Sequence, residues 1–564
     1  MIQWGEFRPD VADYLGSATR NINNVLPRGD GYGPFPDFAA LTQSLPAVCR
    51  GGFYALNSDG SVTVFAGTSK RLYRADNTDY SWIPVSKAVT VTISSASPGV
   101  ITETGHDSAV NEPKVFSNSG GALPAAITAG TVYYVKTVLD ADTYTISATP
   151  GGAAINTAST GTGTHSVTGK YAELSSDAHW QFVQFGNLVK ATQKNAVLQT
   201  YTLGTSSAFA DNAGSPPQAS YISVVGRFLV LSGLLSNPFR VHWSGLNDTT
   251  QWTSGVNSSD FQDFPDGGIV RGVAGGEFGI VFQDQAIRRM SYIPGSALIF
   301  QIERIAEQLG LFGPYSIIRA GALVLFHSAK GFYKIAPGGL PEQIGRERVD
   351  RTFFDDLDKT ELHMLIGAAD PRATRGFWAY KSTSGTTGLF DKIMGYDFVL
   401  DRFFPVTTSG EYLLGMSQPG LTLESLDDLS ASIDDLAASL DSFAVSTQPL
   451  IAGFSSEHKM GFFSGASLEA TLETAEQGSS NERVYLGGFR PVVDAPSVYG
   501  SASYRETLSD TPTSLPEIAK NTRTGSCDLR RSTRYTRMKI RVPAAQTWTY
   551  SAGVEPFIQP DGET

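Results

Sequence analysis

One pattern is written several times along this chain, and its recurrence limits the folds open to it. The pattern is an apolar strand, a glycine-centred turn, a second apolar strand, a polar turn, and a strand carrying an aromatic or an arginine. It opens at Gly51 as "GGFYALNSDGSVTVFAGTSKRLYRADN" and returns as "WQFVQFGNLVKATQKNAVLQTYTL" at 180–203. It comes again as "ASYISVVGRFLVLSGLLSNPFRVHWSG" at 219–245, "VRGVAGGEFGIVFQDQAIRRMSYI" at 270–293 and "YSIIRAGALVLFHSAKGFYKIAPG" at 315–338. A longer version starts at His363, and a last one opens at 450 with "LIAGFSSEHKMGFFSG". Once two long insertions are set aside, the starts are spaced by about 40 to 50 residues. That period predicts an all-β chain built on a β-propeller of five to seven blades, each a four-stranded antiparallel sheet.

The remaining segments read differently. Residues 1–50 are turn-rich, and the aromatics Trp4, Phe7, Tyr14, Phe35 and Phe38 favour a packed strap over a free tail. The propeller is expected over 51–86 and 171–465. Residues 87–170, rich in Thr, Ala and Gly, read as a small inserted β domain, an insertion of the kind tolerated at exposed loop tips. A second insertion, 418–449, carries an apolar stripe at Leu426, Leu429, Ile433, Leu436, Leu440 and Phe443, flanked by Asp427, Asp428, Asp434 and Asp435. A short helix lying on the propeller, a self-associating helix in an oligomer and a series of capped turns all fit that spacing. Clean alternation after residue 465 predicts a C-terminal β-sandwich over 466–564.

Composition narrows the function classes. Hydrophobic residues make up 41% of the 564, enough for real cores, so disorder over most of the chain is excluded. The 32 Phe and 22 Tyr, with abundant Gly, suit many short strands and tight turns. A net charge of −12 argues against a general nucleic-acid binder that wraps phosphate in lysine and arginine. Cys49 and Cys527 stand at opposite ends of the chain, which fits two unpaired thiols made in a reducing cytoplasm. The segment MIQWGEFRPD lacks the form of a signal peptide, and no apolar stretch is long enough to span a membrane.

Catalytic motifs are scarce. The seven histidines (106, 165, 179, 242, 327, 363 and 458) form no HxH, HExxH or i,i+4 pair, and no nucleophile elbow, phosphate loop or dinucleotide fingerprint is present. No catalytic residue, metal or cofactor is expected. Two mixed-sign clusters stand out: Asp355, Asp356 and Asp358 below Arg346, Arg348 and Arg351, and the trio Asp260, Asp263 and Asp266. The strongest local charge is basic: Arg523, Arg530, Arg531, Arg534, Arg537, Lys539 and Arg541 against Asp528 alone. In one continuous strand Arg531, Arg537, Lys539 and Arg541 would share a face. These residues, with the pair Arg288 and Arg289, are candidates for subunit or DNA-backbone contact.

The segments "FRPDVADYLGSATRNINNVLPRGDGYGPFP", "FAGTSKRLYR", "VHWSGLNDTTQW", "DFPDGGIVRGVAGGEFGIVFQDQAIRRMSYIPG" and "LFHSAKGFYKI" resemble the tail nozzle or hub proteins of short-tailed bacteriophages. The likeness is clearest over 1–80 and 180–405, and the 87–170 insertion is similar to a β module common in phage structural proteins. The resemblance implies a virion tail protein made in the bacterial host cytoplasm, with about six copies in a closed ring. It implies as partners the adaptor or portal-proximal ring, tail fibres or a needle or plug protein, and double-stranded DNA that passes without sequence recognition. Such a ring would continue the DNA channel, retain the packaged genome and open for ejection. Its acidic chains would repel phosphate and avoid sticky binding. A peripheral receptor- or glycan-binding tail protein, and a tail protein of a long-tailed phage, are the competing readings.

Overall fold

Two-residue turns shape the repeated units. Gly186, Gly226 and Gly321 each stand first in such a turn with φ of +59°, +56° and +63°, the conformation that matches the twist of a tight hairpin. The computed structural model describes residues 1–12, 18–296, 298–370, 374–417, 449–478 and 482–563. Nearly all of its regular structure is β, with one short α-helix, Asp350–Asp356, among the described residues.

The repeats form seven four-stranded antiparallel sheets among those residues. Their first strands are Gly52–Leu56, Gln181–Phe185, Ala219–Val225, Val270–Ala274, Ile318–Ala320, Ile366–Ala369 and Tyr412–Ser417. The second strands are apolar on both faces, as in the wholly buried Phe228–Leu234 and Gly279–Gln283. Each sheet covers its neighbour, so both faces need apolar side chains. Val230 and Trp243 of the third sheet meet Val281 and Met290 of the fourth, and Phe282 of the fourth meets Phe326 of the fifth. Ala66 and Tyr73 of the first sheet share a core with Leu414 and Phe454 of the seventh.

That seventh sheet starts earlier than the repeat at 450 suggests. Tyr412–Ser417 is its first strand and Pro449–Phe454 its second. The apolar stripe at Leu426, Leu429, Ile433, Leu436, Leu440 and Phe443 lies between them, outside the described residues. The fourth strand comes from the other end of the chain: Pro36–Ser44 pairs with Lys459–Ser467, with Phe38 opposite Phe463 and Ala40 opposite Gly461.

Residues before 36 serve two further sheets. One joins Glu482–Val493, Ser551–Glu563 and Arg531–Thr533 to Tyr32–Pro34, Val25–Pro27 and Ile2–Gln3. The other has Tyr535–Val542 between Ala470–Glu473 and Tyr499–Arg505, with Ile22–Asn23 on the far side of Ala470–Glu473. Trp4, Phe7 and Phe35 are buried in a core that reaches both C-terminal sheets and the fifth to seventh repeat sheets. Asp10 fixes the strap at another point, its carboxylate accepting hydrogen bonds from the Arg351 and Thr352 backbone N–H groups that open the helix.

Between the first and second sheets, six strands from Ala88–Ile93 to Thr164–Thr168 pair along a path that returns to its start. Inside this module Lys114 is fully buried. Its ammonium lies 2.9 Å from Glu103, which also accepts the Tyr144 hydroxyl at 2.8 Å. Glu112 sits 3.8 Å from Lys114 and 2.6 Å from Arg71, a residue of the first repeat sheet's hairpin. Burial holds the Lys114 ammonium below its usual pKa, because a charged form is costly away from water.

Two stability predictions follow from this packing. A Cβ at Gly461 would stand 2.0 Å from the Ala39 carbonyl oxygen, so Gly461→Val should destabilise the chain by about 1–3 kcal/mol in denaturant titration. Gly487→Ala, where the nearest atom is at 3.5 Å, should be near neutral. Lys114→Ala should cost about 3–5 kcal/mol by leaving Glu103 buried without its cation. The double variant Lys114→Met with Glu103→Gln should recover most of that loss.

Candidate functional site in the axial cavity and at the basic strand

The first strands of the seven repeat sheets surround a common space. A cavity of about 500 Å³ is lined by Phe182, Tyr221, Val273, Tyr315 and Ile366, among others, and Arg319 and Tyr412 also line an adjoining cavity of about 340 Å³. Between them the two cavities touch the first strand of every repeat sheet. The lining mixes apolar and aromatic side chains with Gln181, Gln184, Ser223 and Arg319, and successive residues such as 221–224 all border the space, so the strands meet it with an edge.

Beside the space, against Tyr315 and Tyr412 of its lining, packs the connection that leaves the inserted module. Arg50 staples that connection, its guanidinium donating to the carbonyl oxygens of Ser175 at 3.1 Å and Ala178 at 2.8 Å, and also to that of Ser176. His179 follows, fully enclosed. Its backbone N–H donates to the Tyr315 hydroxyl at 3.0 Å, and its Nε2 lies 2.9 Å from the His363 carbonyl oxygen, so Nε2 carries the proton. Tyr315 and Tyr412 pack edge-on against its ring at 4.8 and 5.3 Å. Burial, with Arg50 and His363 nearby, depresses the His179 pKa to about 3, and burial raises the Tyr315 phenol far above its ordinary value. The imidazole at the centre of the cluster is therefore held neutral. Among the described residues no group of three His, Cys, Asp or Glu side chains is placed to hold a metal ion.

A second enclosed histidine has an aromatic cage. Phe332, Phe353 and Phe354 lie within 4.8–5.0 Å of the His327 ring, and neither ring nitrogen has a hydrogen-bond partner. Sequence spacing marks neither: the groups around His179 come from distant repeats, and those around His327 come from its own hairpin and the helix after it, with no motif to join them.

The basic run divides between the two C-terminal sheets. Arg531 belongs to Arg531–Thr533 in one sheet, and a bend at Arg534 carries the chain into Tyr535–Val542 in the other. The face expected to hold Arg531, Arg537, Lys539 and Arg541 therefore loses Arg531, because the strand is not continuous. Arg531 stacks instead on the Tyr504 ring at 4.0 Å. Arg537, Lys539 and Arg541 do alternate with the buried Thr536, Met538, Ile540 and Val542. Arg541 is bound to Glu469 at 3.0 Å and Glu517 at 2.9 Å, Arg537 lies 3.8 Å from Glu476, and Lys539 stands opposite Glu473. Arg523 and Arg530 are exposed in the preceding loop.

The pair in the fourth repeat sheet is likewise engaged. Arg288 donates to Asp266 and Gln283, each at 2.8 Å, and lies over the Phe264 ring. Arg289 reaches Glu303 at 3.2 Å and the Gly339 carbonyl oxygen at 2.6 Å. The mixed-sign clusters are internal too: Asp263 pairs with Arg240, Asp356 with Lys392, Asp358 with Lys381, and Arg348 with Glu6 and Asp401.

No protein-family model matches the chain, and no curated protein matches it. Among solved structures, a computationally designed protein is 8% identical with a TM-score of 0.32, covering 74% of this chain and 97% of its own. A Synechocystis apocarotenoid oxygenase variant is 9% identical with a TM-score of 0.27, covering 60% and 86%. The extracellular domain of a putative hybrid two-component system from B. thetaiotaomicron is 10% identical with a TM-score of 0.31, covering 69% and 41%. At these scores the likenesses carry no weight for fold or function.

The His327 cage sets an acid limit on stability. The folded chain holds this imidazole neutral down to about pH 3, whereas the unfolded chain takes up the proton near 6.5. The contribution is complete above pH 6.5 and is lost progressively as pH falls towards 3. His327→Phe should therefore flatten the acid limb, gaining about 2 kcal/mol relative to wild type between pH 7 and pH 5 in denaturant titrations.

Proposed function

We propose that the chain is a seven-bladed β-propeller with an inserted β module and a C-terminal β-sandwich, and that it serves as a ring subunit of a short-tailed phage tail. The ring would continue the DNA channel, retain the packaged genome and open for ejection. Three things support this reading: the resemblance over 1–80 and 180–405, the seven sheets around a shared axial space, and the fourth strand that the N-terminal segment lends to the seventh sheet.

The observation that carries the DNA-handling part is the internal use of guanidinium groups. Arg288, Arg289, Arg537 and Arg541 face carboxylates of their own chain, and the net charge is −12. A surface of that kind lets a polyanion slide, because it offers few cations to exchange for the phosphate counterions.

The path of the duplex must then lie between subunits. Duplex DNA roughly 20 Å across occupies roughly 1,000 Å³ for each 3.4 Å base-pair step. The central cavities of one chain hold about 500 and 340 Å³.

Cryo-electron microscopy of the purified protein and of the virion tail tests the assignment. The expected result is a closed ring of about six subunits whose central bore admits duplex DNA, with every propeller axis empty. A chain that remains monomeric and joins no ring in the virion would overturn it in favour of a peripheral receptor-binding role.

A further inference from the structure

Away from the axis, the inserted module, through Val115 and Gly130, faces one end of the first and second repeat sheets across a cleft of about 730 Å³. That volume falls within the roughly 300–1,000 Å³ of small-ligand sites, which are commonly apolar. This cleft is different. Its walls include Asn57, Asn77, Asn187 and Ser206, with Tyr201 as the large aromatic.

Arg74, on the strand Leu72–Ala75, is the cation of the cleft. Its guanidinium makes no hydrogen bond or ion pair with the described residues, and its Nε is shielded from solvent. Arg71, just before that strand, is the contrast, its guanidinium engaged by Glu112, Ser108 and two carbonyl oxygens. A shielded charged donor without a partner is costly, and the guanidinium fork matches a carboxylate in two parallel hydrogen bonds.

The neighbouring amides are set for hydroxyl groups. The Asn57 side-chain NH₂ is already committed to Ser61 Oγ at 2.8 Å and Thr63 Oγ1 at 3.0 Å, and that of Asn77 to the Val62 carbonyl oxygen at 3.3 Å. Neither side-chain oxygen accepts a bond from the described residues, so both can accept from a hydroxyl, and Asn77 keeps one N–H to donate. A run of phosphates would ask for several cations, and here one arginine shares the cleft with the Asp59 carboxylate.

We propose that this cleft binds an acidic oligosaccharide, with the sugar carboxylate on Arg74 and sugar hydroxyls on the amide oxygens of Asn57 and Asn77. The inference stands apart from the ring assignment and holds for a ring subunit or a monomer alike.

Titration calorimetry on the full-length chain tests it with tri-galacturonate, a sialylated trisaccharide and a glucuronate-bearing trisaccharide as probes. Maltotriose, inorganic phosphate and a short DNA duplex are the comparisons. At least one acidic sugar should bind, about tenfold or more tighter than maltotriose, and Arg74→Gln should remove that margin. Ser207→Trp, at an exposed position on the rim, should block the same sugar without shifting the thermal midpoint. No binding by any acidic sugar tighter than about 1 mM overturns the proposal. So does equal, Arg74-dependent binding of phosphate or DNA, or sugar binding that Ser207→Trp leaves intact.

Discussion

The pairing of Pro36–Ser44 with Lys459–Ser467 is the contact on which the rest of the architecture depends. Without it the seventh sheet has three strands and an open edge. The same N-terminal segment then supplies Ile22–Asn23, Val25–Pro27 and Tyr32–Pro34 to the C-terminal sheets. A break in this strap would therefore loosen two bodies together. Trp4 shows the coupling at one atom, its indole N–H donating to Ser551 Oγ across almost the whole length of the chain.

The inserted module is attached by a different kind of force. Its interior has the apolar core of any small β unit, with Ile101, Phe116, Val135 and Tyr144 buried. It also holds a chain of charges, Lys114, Glu103 and Glu112, that ends on Arg71 of the host sheet. Charges taken out of water in this way add little net stability compared with apolar groups of the same size, but they punish a wrong partner heavily. The arrangement fixes how the module sits on the first sheet, and that seating forms one wall of the Arg74 cleft.

Much of the repeat architecture is legible in the sequence because it rests on local chemistry. Glycines at 186, 226 and 321 stand in two-residue turns between apolar strands, and both turn and strands can be recognised from a short window. The seventh sheet is harder. Its first strand lies at 412–417 and its last at 36–44, so no window contains it. The basic run misleads for a related reason: parity continues through Arg534 on paper, but the chain changes sheets there. The Arg74 cleft has no motif at all. Its meaning lies in a missing partner, and that is a property of the assembled fold.

The closing strand also has a consequence in time. Pro36–Ser44 leaves the ribosome early, yet its partner Lys459–Ser467 is made some 420 residues later. At roughly 5–20 residues per second of synthesis the wait is roughly 20–80 s. Throughout that interval a nine-residue strand has unpaired backbone donors and acceptors, close to other nascent copies of itself. The polysome is therefore where strand exchange between copies would begin, and a slow or stalled ribosome would lengthen the exposure before the finished chain could end it.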